Sequence, residues 1–206
     1  MADKVKSFSL NKFKSALIGG GARPNLFEVQ MGKIPALGQD FGDNFKFMCK
    51  AASLPASNIA NIDVPFRGRI FKVAGDRTIE NWTLTIINDE DFKYRTAFEG
   101  WMQHILRLEN NSGTTNPQSY MTNADVIQLG RGYIKESGVS IESSYEDSSS
   151  GVETAALAKY QMQDIWPVNV SSIDLSMDNS DQIEEFTVEF AVQSLNLTGA
   201  ATEPDG

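Results

Sequence analysis

Cysteine and histidine are nearly missing: Cys49 and His104 are the sole examples among 206 residues. A lone cysteine excludes an intrachain disulfide framework, and with one histidine beside it no thiol or imidazole cluster exists for a structural metal. A histidine-based triad or metal site would need unusual substitutes, so no catalytic, cofactor or metal residue is assigned. Positive charge is also scarce. Eighteen Lys and Arg against 27 Asp and Glu leave a net −9, a field that repels phosphate backbones and anionic membranes and argues against conventional DNA binding. No apolar run could span a bilayer, and residues 1–10 alternate charged and apolar side chains without the hydrophobic stretch of a signal peptide. The expected setting is a reducing cytoplasm, with neither export nor anchoring.

What chemistry-bearing residues there are have ordinary readings. His104 lies beside Trp101 and Ile105 and reads as a packing or surface residue, and Cys49 reads as a buried thiol. Gly19-Gly20-Gly21 lacks a following Gly-Lys-Ser/Thr and reads as a hinge, not a phosphate loop. The acids Asp89, Glu90 and Asp91 read as the start of a helix rather than a cation site.

What is present is an apolar fraction of 41% with plentiful Gly, Ser, Asn and Thr, the profile of a loop-rich β protein of one domain. Two-residue alternation predicts strands at 27–31 and 45–51, the latter from Phe45, Phe47, Cys49 and Ala51. A hairpin is expected from 69–74 and 78–87 around a Gly75-Asp76 turn. One helix, about 89–109, is predicted from the stripe Tyr94, Phe98, Trp101, Ile105 and Leu108, with Asn88 as N-cap and Gly113 just past its end. Weak strands follow within 125–141, then a strand at 168–177 bulged at Ser171-Ser172, then one at 183–197. Residues 142–155 read as a serine-rich exposed loop. Residues 1 to about 22 and about 198–206 read as flexible arms.

Several longer motifs carry a resemblance. They are Gly20-Gly21-Ala22-Arg23-Pro24-Asn25-Leu26-Phe27-Glu28-Val29, Phe47-Met48-Cys49-Lys50-Ala51-Ala52-Ser53-Leu54-Pro55-Ala56-Ser57, and Val64-Pro65-Phe66-Arg67-Gly68-Arg69. Further on come Val73-Ala74-Gly75-Asp76-Arg77-Thr78, Trp82-Thr83-Leu84-Thr85-Ile86-Ile87-Asn88-Asp89-Glu90-Asp91-Phe92, Pro167-Val168-Asn169-Val170-Ser171 and Glu184-Glu185-Phe186-Thr187-Val188-Glu189-Phe190. In this order they resemble the tail tube proteins of contractile-tailed bacteriophages, with the weakest match at about 110–165. The resemblance implies a mainly β, sandwich- or barrel-like tail tube domain with one packed helix, whose sheets join between subunits into a hexameric ring. It implies no cofactor and no enzymatic activity. The implied partners are further copies of the chain, the tail sheath, baseplate and tail terminator proteins, a tape measure protein in the lumen, and DNA in transit without specific binding. The implied location is the virion tail, assembled in the host cytoplasm. A type VI secretion tube or a phage-tail-like bacteriocin tube is the alternative.

Three surfaces are candidates for assembly. Arg67, Arg69, Lys72 and Arg77 form the densest basic patch and are expected at a subunit interface or on a solvated hairpin face. The segment 53–68, with Ser53, Leu54, Pro55, Asn58, Ile59 and Pro65, is expected to project between rings because its prolines and mixed polarity suit an arm better than a core strand. The polar face of the last strand, Glu185, Thr187, Glu189 and Gln193, is expected to line a lumen.

Overall fold

The computed structural model describes residues 10–17, 21–34, 38, 41–42, 44–134, 141–142, 154–178 and 182–199. In chain order the first elements are α1 (Leu10–Ala16), β1 (Phe27–Met31), α2 (Phe45–Met48), β2 (Cys49–Ala52), β3 (Ser57–Phe66), β4 (Arg69–Ile79) and β5 (Trp82–Ile87). There follow α3 (Lys93–Ile105), β6 (Thr122–Ile134), β7 (Ile141–Glu142), β8 (Thr154–Val170), β9 (Glu185–Ala191) and β10 (Ser194–Gly199). The protein is mainly β. Its main sheet has the order β1-β6-β8-β9-β5-β2, with β10 beside β8 and β7 beside β6, while β3 and β4 form a separate two-stranded sheet.

The chain divides into two compact units. The larger comprises Glu28–Val126 and Lys159–Thr198, and it holds the core. Strict alternation in β5 sends Trp82, Leu84 and Ile86 inward, and β9 does the same with Phe186, Val188 and Phe190. The antiparallel register puts Trp82 opposite Phe190, Leu84 opposite Val188 and Ile86 opposite Phe186, so the two strands present one apolar surface. Onto it α3 lays Tyr94, Ala97, Phe98 and Trp101. Phe98 is the hub: its ring centroid lies 5.0 Å from Phe41, 5.8 Å from Phe190, 6.2 Å from Phe186 and 6.4 Å from Trp101. Trp101 Nε1 donates to the Tyr120 carbonyl at 2.8 Å, which satisfies its one polar atom inside the core.

The predicted helix exists but is shorter at both ends. Asn88 is not its N-cap: it is buried, its Nδ2 donating to Glu184 Oε2 at 2.7 Å. Asp89 takes over the start, accepting the Lys93 N–H at 3.1 Å, while Phe92 occupies the cap position with φ 52°. At the other end Leu106 bridges to Gly113, where an added Cβ would sit 2.1 Å from the Ile105 carbonyl oxygen, so the chain turns back and leaves Leu108 exposed.

The strand expected at 45–51 is a helical turn followed by a strand. Phe45 and Cys49, four apart, share the buried side, and Phe47 points outward. The expected Gly75-Asp76 turn is a bulge within continuous β4: between the pairs Ile59–Arg77 and Asn61–Ala74 those two residues oppose Ala60 alone. Gly75 belongs there because a Cβ would meet the Ala60 oxygen at 3.0 Å. β4 therefore pairs back with β3, and β5 belongs to the main sheet.

The strand expected at 168–177 is displaced toward the N-terminus. β8 ends at Val170, and the bulge falls at 167–169 against β9 instead of at Ser171-Ser172. Pro167, which lacks an N–H, sits where that ladder is interrupted. Ser171 still holds β9, its N–H donating to the Thr187 carbonyl at 2.8 Å and its Oγ accepting from the Thr187 N–H at 2.9 Å. The strand expected at 183–197 is two, β9 and β10, separated at Val192-Gln193.

The smaller unit comprises Met1–Phe27, Ile127–Ala158 and Gly199–Gly206. In it β7 pairs with the end of β6, and Gln128 Nε2 donates to the carbonyls of Arg23 and Leu26, both at 2.6 Å. Within the arm expected at 1 to about 22 lies α1, whose Leu10 and Phe13, with Leu17 just past its end, recur at helical spacing. Gly19, Gly20, residues 143–153 of the serine-rich loop and 200–206 lie outside the described residues.

Candidate assembly surface

Among the described residues, the β3–β4 hairpin stands out as two long paired strands that are almost wholly exposed. Its central turn, Arg67-Gly68, has φ 46° and 81°, the double left-handed geometry that matches the twist of a two-residue hairpin and that glycine accepts at no steric cost. The closing pair is Phe66–Arg69, followed by Pro65–Ile70. Because pairs alternate between bonded and non-bonded, Pro65 falls at a non-bonded position, and its missing N–H costs the ladder nothing.

Every residue of β3, and all of β4 but Gly75 and Ile79, is exposed. Beyond the bulge one face carries Ile62, Val64 and Phe66 from β3 against Val73, Phe71 and Arg69 from β4, and the other carries Asn61, Asp63 and Pro65 against Ala74, Lys72 and Ile70. Phe66 and Phe71 are each 66% exposed. A contiguous exposed apolar face of this kind marks an interaction site.

The hairpin also brings the basic residues together. Residues 57–79 hold Arg67, Arg69, Lys72 and Arg77 against Asp63 and Asp76, a balance of +2 that leaves the remainder of the chain at −11. Lys72 stands opposite Asp63, Arg77 Nε donates to Ser57 Oγ, and the Arg67 guanidinium lies 5.6 Å from the Phe66 ring centroid. Arg69 has no ion-pair partner among the described residues.

The segment 53–68 is thus the first half of this hairpin. Ser53 anchors its base, its N–H donating to the Thr83 carbonyl at 3.0 Å and its Oγ accepting from the Thr83 N–H at 3.2 Å. Pro55 is buried beside it, Leu54 is 45% exposed, Asn58 Nδ2 donates to Glu80 Oε1 at 3.0 Å, and Ile59 and Pro65 are exposed.

On β9, Glu185, Thr187 and Glu189 share the face opposite the core and are half-buried, standing across from Ile87, Thr85 and Thr83. Lys50, the bulged residue of β2, pairs with Glu185. Gln193 is not brought into this row, because it lies in the break after β9.

Elsewhere the chemistry is quiet. Burial pushes the Cys49 thiol up to about 12. Burial, then the nearby Asp89 carboxylate, raises the Tyr94 phenol. His104 is half-buried on α3, with Nε2 unpaired. Among the described residues no group of three or more His, Cys, Asp or Glu could hold a metal ion, and no helix is long and apolar enough to cross a membrane.

The apolar hairpin face was open to sequence reading and was missed. Two alternating runs flank Arg67-Gly68, but the second glycine pair, Gly75-Asp76, resembles a turn more closely, and the bulge there shifts the phase.

Comparison with known proteins agrees with this architecture. Residues 22–197 match a family described as phage tail tube protein. The chain is 32% identical over 174 residues to the tail tube protein gp19 of Enterobacteria phage T4, covering 84% of this chain and 90% of that one. It is 25% identical over 186 residues to the tail tube protein of Serratia phage KSP90, covering 88% and 92% respectively. Among solved structures, the anti-feeding prophage tube-terminating cap shares the fold at TM-score 0.55 and 13% identity, over 97% of this chain and all of that one. The sheath–tube complex of an extracellular contractile injection system, PVC, does so at 0.53 and 12%, over 94% and 100%. With a family match across most of its length and a close relative in sequence, the chain belongs to the phage tail tube protein family.

Proposed function

We propose that this protein polymerises as stacked hexameric rings into the inner tube of a contractile phage tail, conducting DNA into the host during ejection, with a structural role and no catalytic one. The observation that carries this reading is the hairpin: 21 of its 23 residues, 57–79, are exposed, with an apolar face that finds no cover among the described residues of its own subunit. Such a surface is expensive for a free monomer and sensible for a subunit that meets another copy. In this reading β3 and β4 reach between successive rings. The basic residues Arg67, Arg69, Lys72 and Arg77 then meet the acidic surface of a neighbour, and closure of the main sheets around the ring removes their free edges. Sheath, baseplate, terminator and tape measure proteins are the expected further partners, and the assembled tail the location.

The polar row Glu185, Thr187 and Glu189 is the candidate lumen lining. DNA must pass quickly, and each Lys or Arg contact to phosphate would add affinity, so a wall without excess cations suits a conduit. Lys50 is already matched by Glu185 on this face. A tube from a genome-free contractile device remains the second reading, and capsid, portal and terminase genes beside this one would decide against it.

The test is to remove the outer hairpin. Replacing residues 62–73 with an Asn-Gly turn closes the ladder at the existing Asn61–Ala74 pair. The shortened subunit, ten residues smaller than the 22.7 kDa parent, should fold and still form rings, with a mass by light scattering of six copies of the shortened chain, but tubes should not grow. Tubes of normal length from this variant would refute the placement.

A further inference from the structure

A cleft of about 790 Å³ opens at the beginning of β9, between residues 172–176, which follow β8, and residues 182–185. Its lining combines acids with apolar side chains left in water: Asp174, Glu184 and Glu185 beside Leu175 and Ile183, which are 83% and 70% exposed. Of the three acids, Glu185 is paired with Lys50 and Glu184 accepts from Asn88. Asp174 has no ion-pair partner among the described residues.

We infer that this cleft is the receptor for the β3–β4 hairpin of a second copy of the chain. The inference rests on the proposed function, in which the hairpin meets another subunit, and adds where it lands. Charge selects the occupant. The hairpin is a long exposed element with a positive balance, +2 on a chain whose remainder is −11, and its apolar face carries Arg69, a cation without an ion-pair partner among the described residues, next to Phe66 and Phe71. The cleft offers the complement: an unpaired carboxylate, Asp174, next to exposed Leu175 and Ile183. Docking covers two apolar surfaces at once and brings a free guanidinium to a free carboxylate. The position is consistent with stacking, since the cleft lies at the end of the polar row of β9 and not midway along it.

The experiment uses the full chain with Arg69→Asp, Asp174→Arg and the double variant, following tube growth by light scattering at low salt. Both positions are exposed, so circular dichroism melting should match the parent. Each reversal alone should raise the concentration needed for growth at least tenfold, because the contact repeats around the ring, and the pair together should restore it to within threefold. As an independent readout, a copy carrying Arg69→Cys mixed with one carrying Asp174→Cys should give disulfide-linked heterodimers on oxidation. Cys49 is buried and will not compete. Loss of growth with Arg69→Asp alone, without rescue by Asp174→Arg and without heterodimers, overturns the cleft as receptor while leaving the hairpin between subunits. Normal growth of all three variants overturns the cleft as well, and normal growth of the shortened-hairpin variant overturns the stacking role itself.

Discussion

Truncating Phe71 to alanine separates assembly from folding. Phe71 stands opposite Val64 near the outer end of the hairpin and is 66% exposed in the subunit. Its removal leaves no cavity in the subunit, so stability should change by less than about 0.5 kcal/mol. In the tube the same ring is expected to be covered. Full burial of a phenylalanine side chain is worth about 1.5–3 kcal/mol, so covering the remaining two-thirds contributes about 1–2 kcal/mol per contact. A ring added as one unit makes this contact six times, which gives about 6–12 kcal/mol and lowers the ring-addition constant by at least four powers of ten. Sedimentation velocity at matched concentrations should therefore show parental tubes and Phe71→Ala rings, with superimposable thermal melts. Tubes from Phe71→Ala at the parental concentration would refute the reasoning, and so would a lowered melting temperature, which would mean that the face is packed within its own subunit.

Phe98→Ala should act in the opposite way, costing about 3–5 kcal/mol of subunit stability by opening a cavity among Phe41, Trp101, Phe186 and Phe190, read by urea melts. Replacing Glu185 and Glu189 with lysine should leave rings intact but slow DNA ejection, most clearly at low salt, and assembly failure with unchanged ejection kinetics would assign these acids to a subunit interface. The Cys49 thiol should resist a thiol reagent at pH 8 in the native protein and react on unfolding. Because the folded state holds that proton up to about 12, against 9.0 for an ordinary thiol, stability should fall as the pH rises from about 9 to 12, by at most about 1.4 kcal/mol per unit.

Much of the core could be read from periodicity alone. Trp82, Leu84, Ile86, Phe186, Val188 and Phe190 alternate without interruption, and Tyr94, Phe98 and Trp101 keep helical spacing, because each segment buries one face against a single neighbour. Reading failed where the local signal and the tertiary setting disagreed. Phe45-Lys46-Phe47 alternates like a strand yet forms a helical turn, since Phe45 and Cys49 both reach the core. Gly75 reads as a turn glycine but serves a bulge, and Val168 and Val170 suggested the start of a strand that in fact ends there. The hairpin surface was hardest, because exposed apolar residues look like core to any pattern that cannot see the partner. Its components, the arm at 53–68 and the basic cluster, were visible separately, and only the β3–β4 register joins them.

The central claim is that this chain builds a hollow tube, and electron microscopy of the purified protein at rising concentration tests it most directly. The account predicts six-fold rings with an open centre in end view and stacked rings in side view, appearing alone or on a baseplate seed. Monomers that persist at high concentration and in the presence of the seed would contradict it.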